Sequence, residues 1–402
     1  MDAVILTTSG LFFLSFLLVP LSDKIGAPVL LLVLVAGMLV GEDGPGGVHF
    51  DDFSLAFTFG SLALAIILFV GGLETRLDAL RGSKLPASIL ATAGVVLTAL
   101  CVGLAATVIL DIPLEYGLLL GAVVGSTDAA ATFLLIRQQD VGLPERLENT
   151  LILESGINDP MAIFLTVAFT GVVNAGDGVA FDSLAGFLPL LVLQLGIGAG
   201  AGYVGGRALT SLFNSLSLPG GLYPAMTVAG ALSVFSATAM LGGSGFLAVY
   251  VAGVVIRARL ERPVENILNF GEALQWLSQI ALFLMLGLLV TPSDLLDGLP
   301  GALAVAAVLM FVARPLAVAC TVSWLSFTAR ELIYLGWVGL RGAVPIFLAI
   351  MPVVAEGPVP VAFFNVVFVI VVASLVIQGW TIAPSARWLG LAGKSRTAGD
   401  RR

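Results

Sequence analysis

The chain has 402 residues, of which 58% are hydrophobic and only 11% charged, and its mean hydropathy is +1.07. A soluble domain of this length could not hide so much apolar surface, so these values leave an all-α polytopic membrane protein. The net charge of −8 says little about partners in such a chain, because where the charges fall matters more than their sum. No nucleic-acid motif, metal-ligand cluster, cofactor fingerprint or nucleophile–base arrangement occurs in the sequence. Nucleic-acid binding and metabolic catalysis are thereby set aside, and no cofactor is expected. Cys101 and Cys320 fall in apolar runs and read as inert core thiols. The first apolar run lacks a basic leader and a small-residue cleavage site, which predicts a retained helix.

Apolar windows between charged or Gly/Pro breaks predict thirteen helices, near 3–21, 27–41, 55–73, 86–109, 114–136, 149–173, 184–209, 222–240, 244–257, 268–290, 299–324, 332–352 and 360–386. Odd-numbered loops and the C-terminal tail hold Lys24; Arg76, Arg81, Lys84; Arg137, Arg146; Arg207; Arg257, Arg259, Arg262; Arg330; and Arg387, Lys394, Arg396, Arg401, Arg402. Even loops carry acids instead: Glu42, Asp43, Asp51, Asp52, Asp111, Asp177, Asp182, Asp294, Asp297 and Glu356. The positive-inside rule then predicts an outside N-terminus and a cytoplasmic C-terminus. The expected division is a transmembrane domain over 1–390 and a short basic tail over 391–402. His49 reads as a loop residue rather than a pH sensor.

In chain order, Glu74 at the end of the third helix reads first as a solvated or interfacial acid and second as an accessory ligand. Ser126, Thr127 and Asp128 interrupt the fifth apolar run near its middle, just after Gly125. Short polar side chains offer the backbone local alternatives to helix, so a broken helix facing a cavity is expected there. The plainer reading makes Asp128 an N-cap in a kink, and the two readings coexist. The sixth window holds Glu154, Ser155, Asn158 and Asp159. A carboxylate at membrane depth costs about 2.5 to 3.5 kcal/mol on insertion scales, so function is its default reading. Ser155, Asn158 and Asp159 stand at i, i+3 and i+4 and share a face, and Pro160 leaves the Gly156 carbonyl without its helical donor. Interhelical glue is the competing reading for Ser155 and Asn158. The seventh window is rich in glycine, which permits close helix contacts.

Arg314-Pro315 in the eleventh window reads as a kink with a snorkelling or locally paired arginine. Arg341, in Gly339-Leu-Arg-Gly-Ala-Val-Pro345 of the twelfth, must pair or face water. Glu154 is its expected partner in a structural ion pair, leaving Asp159 uncompensated; the alternative is that Arg341 pairs with Asp128 or Asp159 in one state of a cycle. The fifth and twelfth helices are interrupted at corresponding places in the two halves, which points to inverted repeats around a midplane site. A single buried aspartate that takes either a proton or a small cation predicts one-for-one exchange without net charge movement. A channel is the first rival, although no carbonyl filter or ring of acids occurs. A sensor or scaffold without transport is the second.

Four segments carry a family resemblance: Val123-Val-Gly-Ser-Thr-Asp-Ala-Ala-Ala131, Glu154-Ser-Gly-Ile-Asn-Asp-Pro-Met-Ala162, Gly245-Phe-Leu-Ala-Val-Tyr250 and Trp337-Val-Gly-Leu-Arg-Gly-Ala-Val-Pro-Ile346. From about residue 5 to 390 the chain resembles NhaP-type members of the monovalent cation:proton antiporter-1 family, and within it the bacterial potassium/proton branch. The resemblance implies a homodimer of thirteen-helix protomers in the plasma (cell inner) membrane. Each would have a six-helix core, here near 86–173 and 299–386, and a dimerisation domain. It implies K+ or Na+ and H+ as substrates, membrane lipid as surroundings, cation binding at Asp159 and Ser155 with the backbone near Thr127, and a Glu154–Arg341 pair. Asn158 and Asp128 complete the candidate site. The chain departs from the family at Val70, where many relatives carry an acid before Gly71-Gly72-Leu73. Members of the potassium branch also commonly continue into a cytoplasmic regulatory domain after the position of Lys394-Ser-Arg-Thr-Ala-Gly-Asp-Arg-Arg402.

Overall fold

Prolines mark where several helices begin, because a missing N–H costs nothing in the first turn. Pro28, Pro113, Pro144 and Pro360 directly precede helices. The computed structural model describes residues 2–75, 82–139, 141–176, 181–261, 265–355 and 357–394. Arg76, Arg81, Asp177, Arg262, Glu356, Arg396, Arg401 and Arg402, used in the charge argument, lie outside the described residues.

The helices are α1 (Asp2–Ile25), α2 (Val29–Val40), α3 (Phe53–Glu74), α4 (Lys84–Ile89), α5 (Val95–Leu110), α6 (Leu114–Val123), α7 (Ala129–Gln138), α8 (Glu145–Ala175), α9 (Phe181–Ser215), α10 (Leu222–Met240), α11 (Gly245–Arg259), α12 (Glu265–Leu288), α13 (Leu299–Val308), α14 (Arg314–Val322), α15 (Ala329–Trp337), α16 (Ala343–Val354) and α17 (Val361–Trp388). One π turn, Leu90–Gly94, joins α4 to α5 and another, Leu309–Ala313, joins α13 to α14. With those joins made, eight helices among the described residues are long and apolar enough to cross a membrane. Shorter apolar helices include α2, α6 and α16.

The chain divides into two compact units. The first comprises residues 1–57, 82–178 and 283–402. Within it two helix triplets repeat one pattern: a long helix with a π turn, a helix broken in its middle, and a long unbroken helix. The first triplet is α4–α8 and the second α13–α17. They run in opposite directions. Gly301 near the start of α13 lies against Leu110 at the end of α5, while Arg146 at the start of α8 donates to the Ser326 carbonyl beyond α14 at 2.8 Å. Inverted repeats are therefore visible in the fold where internal sequence similarity was too weak to establish them. Gly103 and Gly117 let α5 and α6 meet nearly backbone to backbone; a β-carbon on Gly103 would come within 2.8 Å of Leu118 Cα. A two-residue strand, β1 (Val141–Gly142), pairs antiparallel with β2 (Gly393–Lys394).

The second unit comprises residues 58–81 and 179–282. Gly198, Gly202 and Gly206 form one stripe of α9 facing Ser244, which caps α11, and Ala248 and Ala252 within it, the close packing expected of the glycine-rich window. Cys101 is half-buried and Cys320 exposed, so neither is the fully enclosed thiol expected.

Candidate cation and proton site

Two helix breaks build the site. The first runs from Val124 to Asp128, between α6 and α7. Asp128 Oδ1 accepts from Ala131 N–H at 3.0 Å, and the Thr132 hydroxyl donates to the Asp128 carbonyl at 2.7 Å. Asp128 is thus an N-cap and the edge of a broken helix at once. The second break runs from Val338 to Gly342, between α15 and α16.

The breaks are tied together. Asp128 N–H donates to the Leu340 carbonyl at 2.8 Å, and Arg341 Nη1 donates to the Ser126 carbonyl at 2.5 Å. Gly342 completes the contact, since a β-carbon there would collide with the Asp128 carboxylate. Backbone groups that helices would have satisfied internally are satisfied instead by the opposite break.

The third wall is α8, which continues through Pro160. Glu154 and Asn158 are fully buried, and Ser155 and Asp159 are each 9% exposed. Asn158 Nδ2 donates to Thr127 Oγ1 at 2.6 Å, and Thr127 Oγ1 lies 3.1 Å from Ser155 Oγ. Asp159 lies near Ser126 and within electrostatic reach of Asp128. Two oxygens here, Asp159 Oδ1 and Asn158 Oδ1, are buried without a hydrogen-bond partner among the described residues, and buried Ser126 Oγ has only the Asp159 carboxylate near it. Buried polar atoms normally find partners, so unmatched oxygens beside a carboxylate suit a cation or a proton.

The expected Glu154–Arg341 pair is not what forms. Glu154 receives a two-pronged guanidinium from Arg314, with Nη1–Oε1 at 2.5 Å and Nη2–Oε2 at 2.9 Å. Both side chains are buried, 3% and 0% exposed, so Arg314 does not snorkel and its partner is not local. Arg314 directly follows a π turn, and Gly339, packed on its side chain, leaves it room. A planar fork filling both carboxylate oxygens is the geometry arginine favours. Arg341 stays within electrostatic reach of Glu154 and Arg314 while its Nη1 holds the Ser126 carbonyl. The sequence marked both arginines as needing partners but gave Glu154 to Arg341, since nothing along the chain distinguishes one buried guanidinium from the other. Glu74 ends α3 exposed, and Val70 is buried; both belong to the second unit, whereas Asp159 belongs to the first.

Inverted triplets whose broken helices cross beside a buried carboxylate define a secondary transporter. The family described as sodium/hydrogen exchanger, transmembrane, matches residues 12–388, and the chain belongs to that family. It is 47% identical over 391 residues to the K(+)/H(+) antiporter NhaP of Alkalimonas amylolytica, covering 97% of this chain and 67% of that protein. It is 45% identical over 380 residues to the K(+)/H(+) antiporter NhaP2 of Shewanella sp. strain ANA-3, with 93% and 64% covered. Against the Na(+)/H(+) antiporter ApNhaP of Aphanothece halophytica the identity is 28% over 384 residues, with 91% and 70% covered. The chain spans about two thirds of the length of these curated relatives. Its fold is that of the sodium proton antiporter MjNhaP1 of Methanocaldococcus jannaschii: TM-score 0.80 at 22% identity, covering 100% of this chain and 99% of that one.

Proposed function

We propose that the chain exchanges a monovalent cation for H+ by alternating access, the two competing for Asp159. The observation that carries this is the pair of partnerless buried oxygens on Asp159 and Asn158, with Ser126 beside the carboxylate, at the crossing of two helix breaks. Ser155 and Thr127 stand beside them and complete an oxygen-lined shell with the backbone near Thr127. Charge counting favours a one-to-one cycle: two buried arginines, Arg314 and Arg341, stand against three acids, Glu154, Asp128 and Asp159, which leaves one carboxylate in excess. One cation for one proton leaves no net charge moved. K+ is favoured over Na+ because the relatives named for K(+) are 45–47% identical, against 28% for the one named for Na(+).

The protein works as a homodimer in the cell inner membrane, with its N-terminus outside and C-terminus in the cytoplasm, as the segregation of basic loops supports. The transport core is formed by the helices near 86–173 and 299–386. A pore is disfavoured, because the site oxygens are buried and the crossed breaks are bonded to each other. The test is exchange in proteoliposomes with an internal pH dye, imposed K+ or Na+ gradients and clamped voltage. Cation-driven proton movement that ignores voltage is expected; uncoupled, voltage-driven cation flux would overturn the reading.

A further inference from the structure

Two buried polar residues on α17 belong to neither the ion pair nor the oxygen shell. Ser374 and Gln378 are 0% and 1% exposed and lie one helical turn apart in a largely apolar helix long enough to cross a membrane. Polar side chains in such a place need strong reasons and good partners. Their partners are at the second break. Arg341 N–H donates to Ser374 Oγ at 3.1 Å, the Ser374 hydroxyl donates to Gln378 Oε1 at 2.5 Å, and Gln378 Nε2 donates to the Trp337 carbonyl at 2.8 Å. The Trp337 indole N–H in turn donates to Thr381 Oγ1, a turn further along α17, at 3.1 Å.

This relay closes a ring around Trp337–Arg341. It gives the Arg341 N–H just before α16 its acceptor and adds a second donor to the Trp337 carbonyl at the end of α15, which also takes the Gly339 N–H at 3.0 Å. Inside the ring lie the two residues that hold the other break: the Leu340 carbonyl takes Asp128 N–H, and the Arg341 side chain takes the Ser126 carbonyl. A shift of the ring therefore moves Ser126, Thr127 and Asp128 relative to Asp159.

We propose that Ser374 and Gln378 are positioning residues of the ion site, setting cation affinity through the second helix break. This deepens the antiport reading and rests on it. The test uses the full chain in proteoliposomes, comparing apparent KM for K+ and Na+, maximal rate and pH profile across Ser374→Ala, Gln378→Met and Gln378→Glu. Ser374→Ala and Gln378→Met are expected to raise apparent KM about tenfold, the effect of leaving one buried polar group unmatched, with a smaller change in maximal rate.

Gln378→Glu discriminates further and serves where Gln378→Met does not fold. Its carboxyl accepts from Ser374 at any pH but donates to the Trp337 carbonyl only when protonated. The ratio of its apparent KM to that of the unaltered chain should climb as pH rises. Unchanged KM in all variants, or a ratio flat with pH, overturns the proposal. An unaltered chain that moves no protons in response to a cation gradient overturns the antiport reading and this inference with it. An active chain with unshifted variants overturns only the role of α17.

Discussion

The Glu154–Arg314 fork offers a quantitative test, because the sequence and its family resemblance pointed to Arg341 and the structure assigns Arg314. Both side chains are buried and the fork bonds are 2.5 and 2.9 Å long. Two unit charges about 4 Å apart attract by ~4 kcal/mol at an effective dielectric near 20, and removing one partner of a buried pair costs about 3–5 kcal/mol. Arg314→Gln should therefore destabilise by roughly that amount, with Arg341 nearby to offset part of the stranded carboxylate. Glu154→Gln should be worse, since it leaves two guanidiniums buried beside each other without an acid between them. The decisive assay is a pair of double-mutant cycles on reversible unfolding in detergent, one for Glu154 with Arg314 and one for Glu154 with Arg341. The first coupling energy should be the larger by at least ~1 kcal/mol, the upper part of the range for residues in direct contact being about 3. Equal couplings, or a larger one with Arg341, would refute the pairing.

Asp159→Asn should abolish cation-coupled proton movement in proteoliposomes while the chain still folds, because it removes an uncompensated buried charge rather than a packed group; residual exchange would contradict the site. Gly342→Ala should lower stability by about 1–3 kcal/mol, since its methyl group meets the Asp128 carboxylate, and should depress exchange. Gly71→Ala, facing open space, should stay within ~0.5 kcal/mol of the unaltered chain, as thermal unfolding of both variants will show. His49 lies with Nδ1 2.9 Å from Glu42 and Nε2 3.3 Å from Asp51. The Glu42 hydrogen bond first, and then the charges of both carboxylates, raise its pKa above the ordinary imidazole value of 6.5. Its stabilising contribution is then fully present below pH 6.5 and lost as pH rises through the higher folded value. Thermal unfolding should differ between the unaltered chain and His49→Gln on the acid side of that window and converge on the alkaline side.

Much of the site was legible because membranes make polar residues conspicuous. Ser155, Asn158 and Asp159 stood out in an apolar run, their helical spacing placed them on one face, and the structure puts all three against the first break. The Gly-Ser-Thr-Asp interruption announced a broken helix, since local side-chain bonds compete with the helical ladder wherever they are offered. Arg314 was harder to place. An arginine in an apolar window demands a partner, yet nothing in its spacing names one 160 residues away. Ser374 and Gln378 gave only the faint sign of two polar residues four apart in α17, and their purpose lies in backbone groups of another helix.

Composition, periodicity and the placement of charges determine by themselves that this chain is a bundle of membrane helices, two of them interrupted and a third carrying carboxylates in an apolar run, because each of those features is written within one helix. Which guanidinium neutralises Glu154, how the two breaks bond to each other, and what holds the second one in place are decided only by the tertiary structure. Those bonds join residues far apart along the chain, and their geometry exists only once the inverted triplets have packed together.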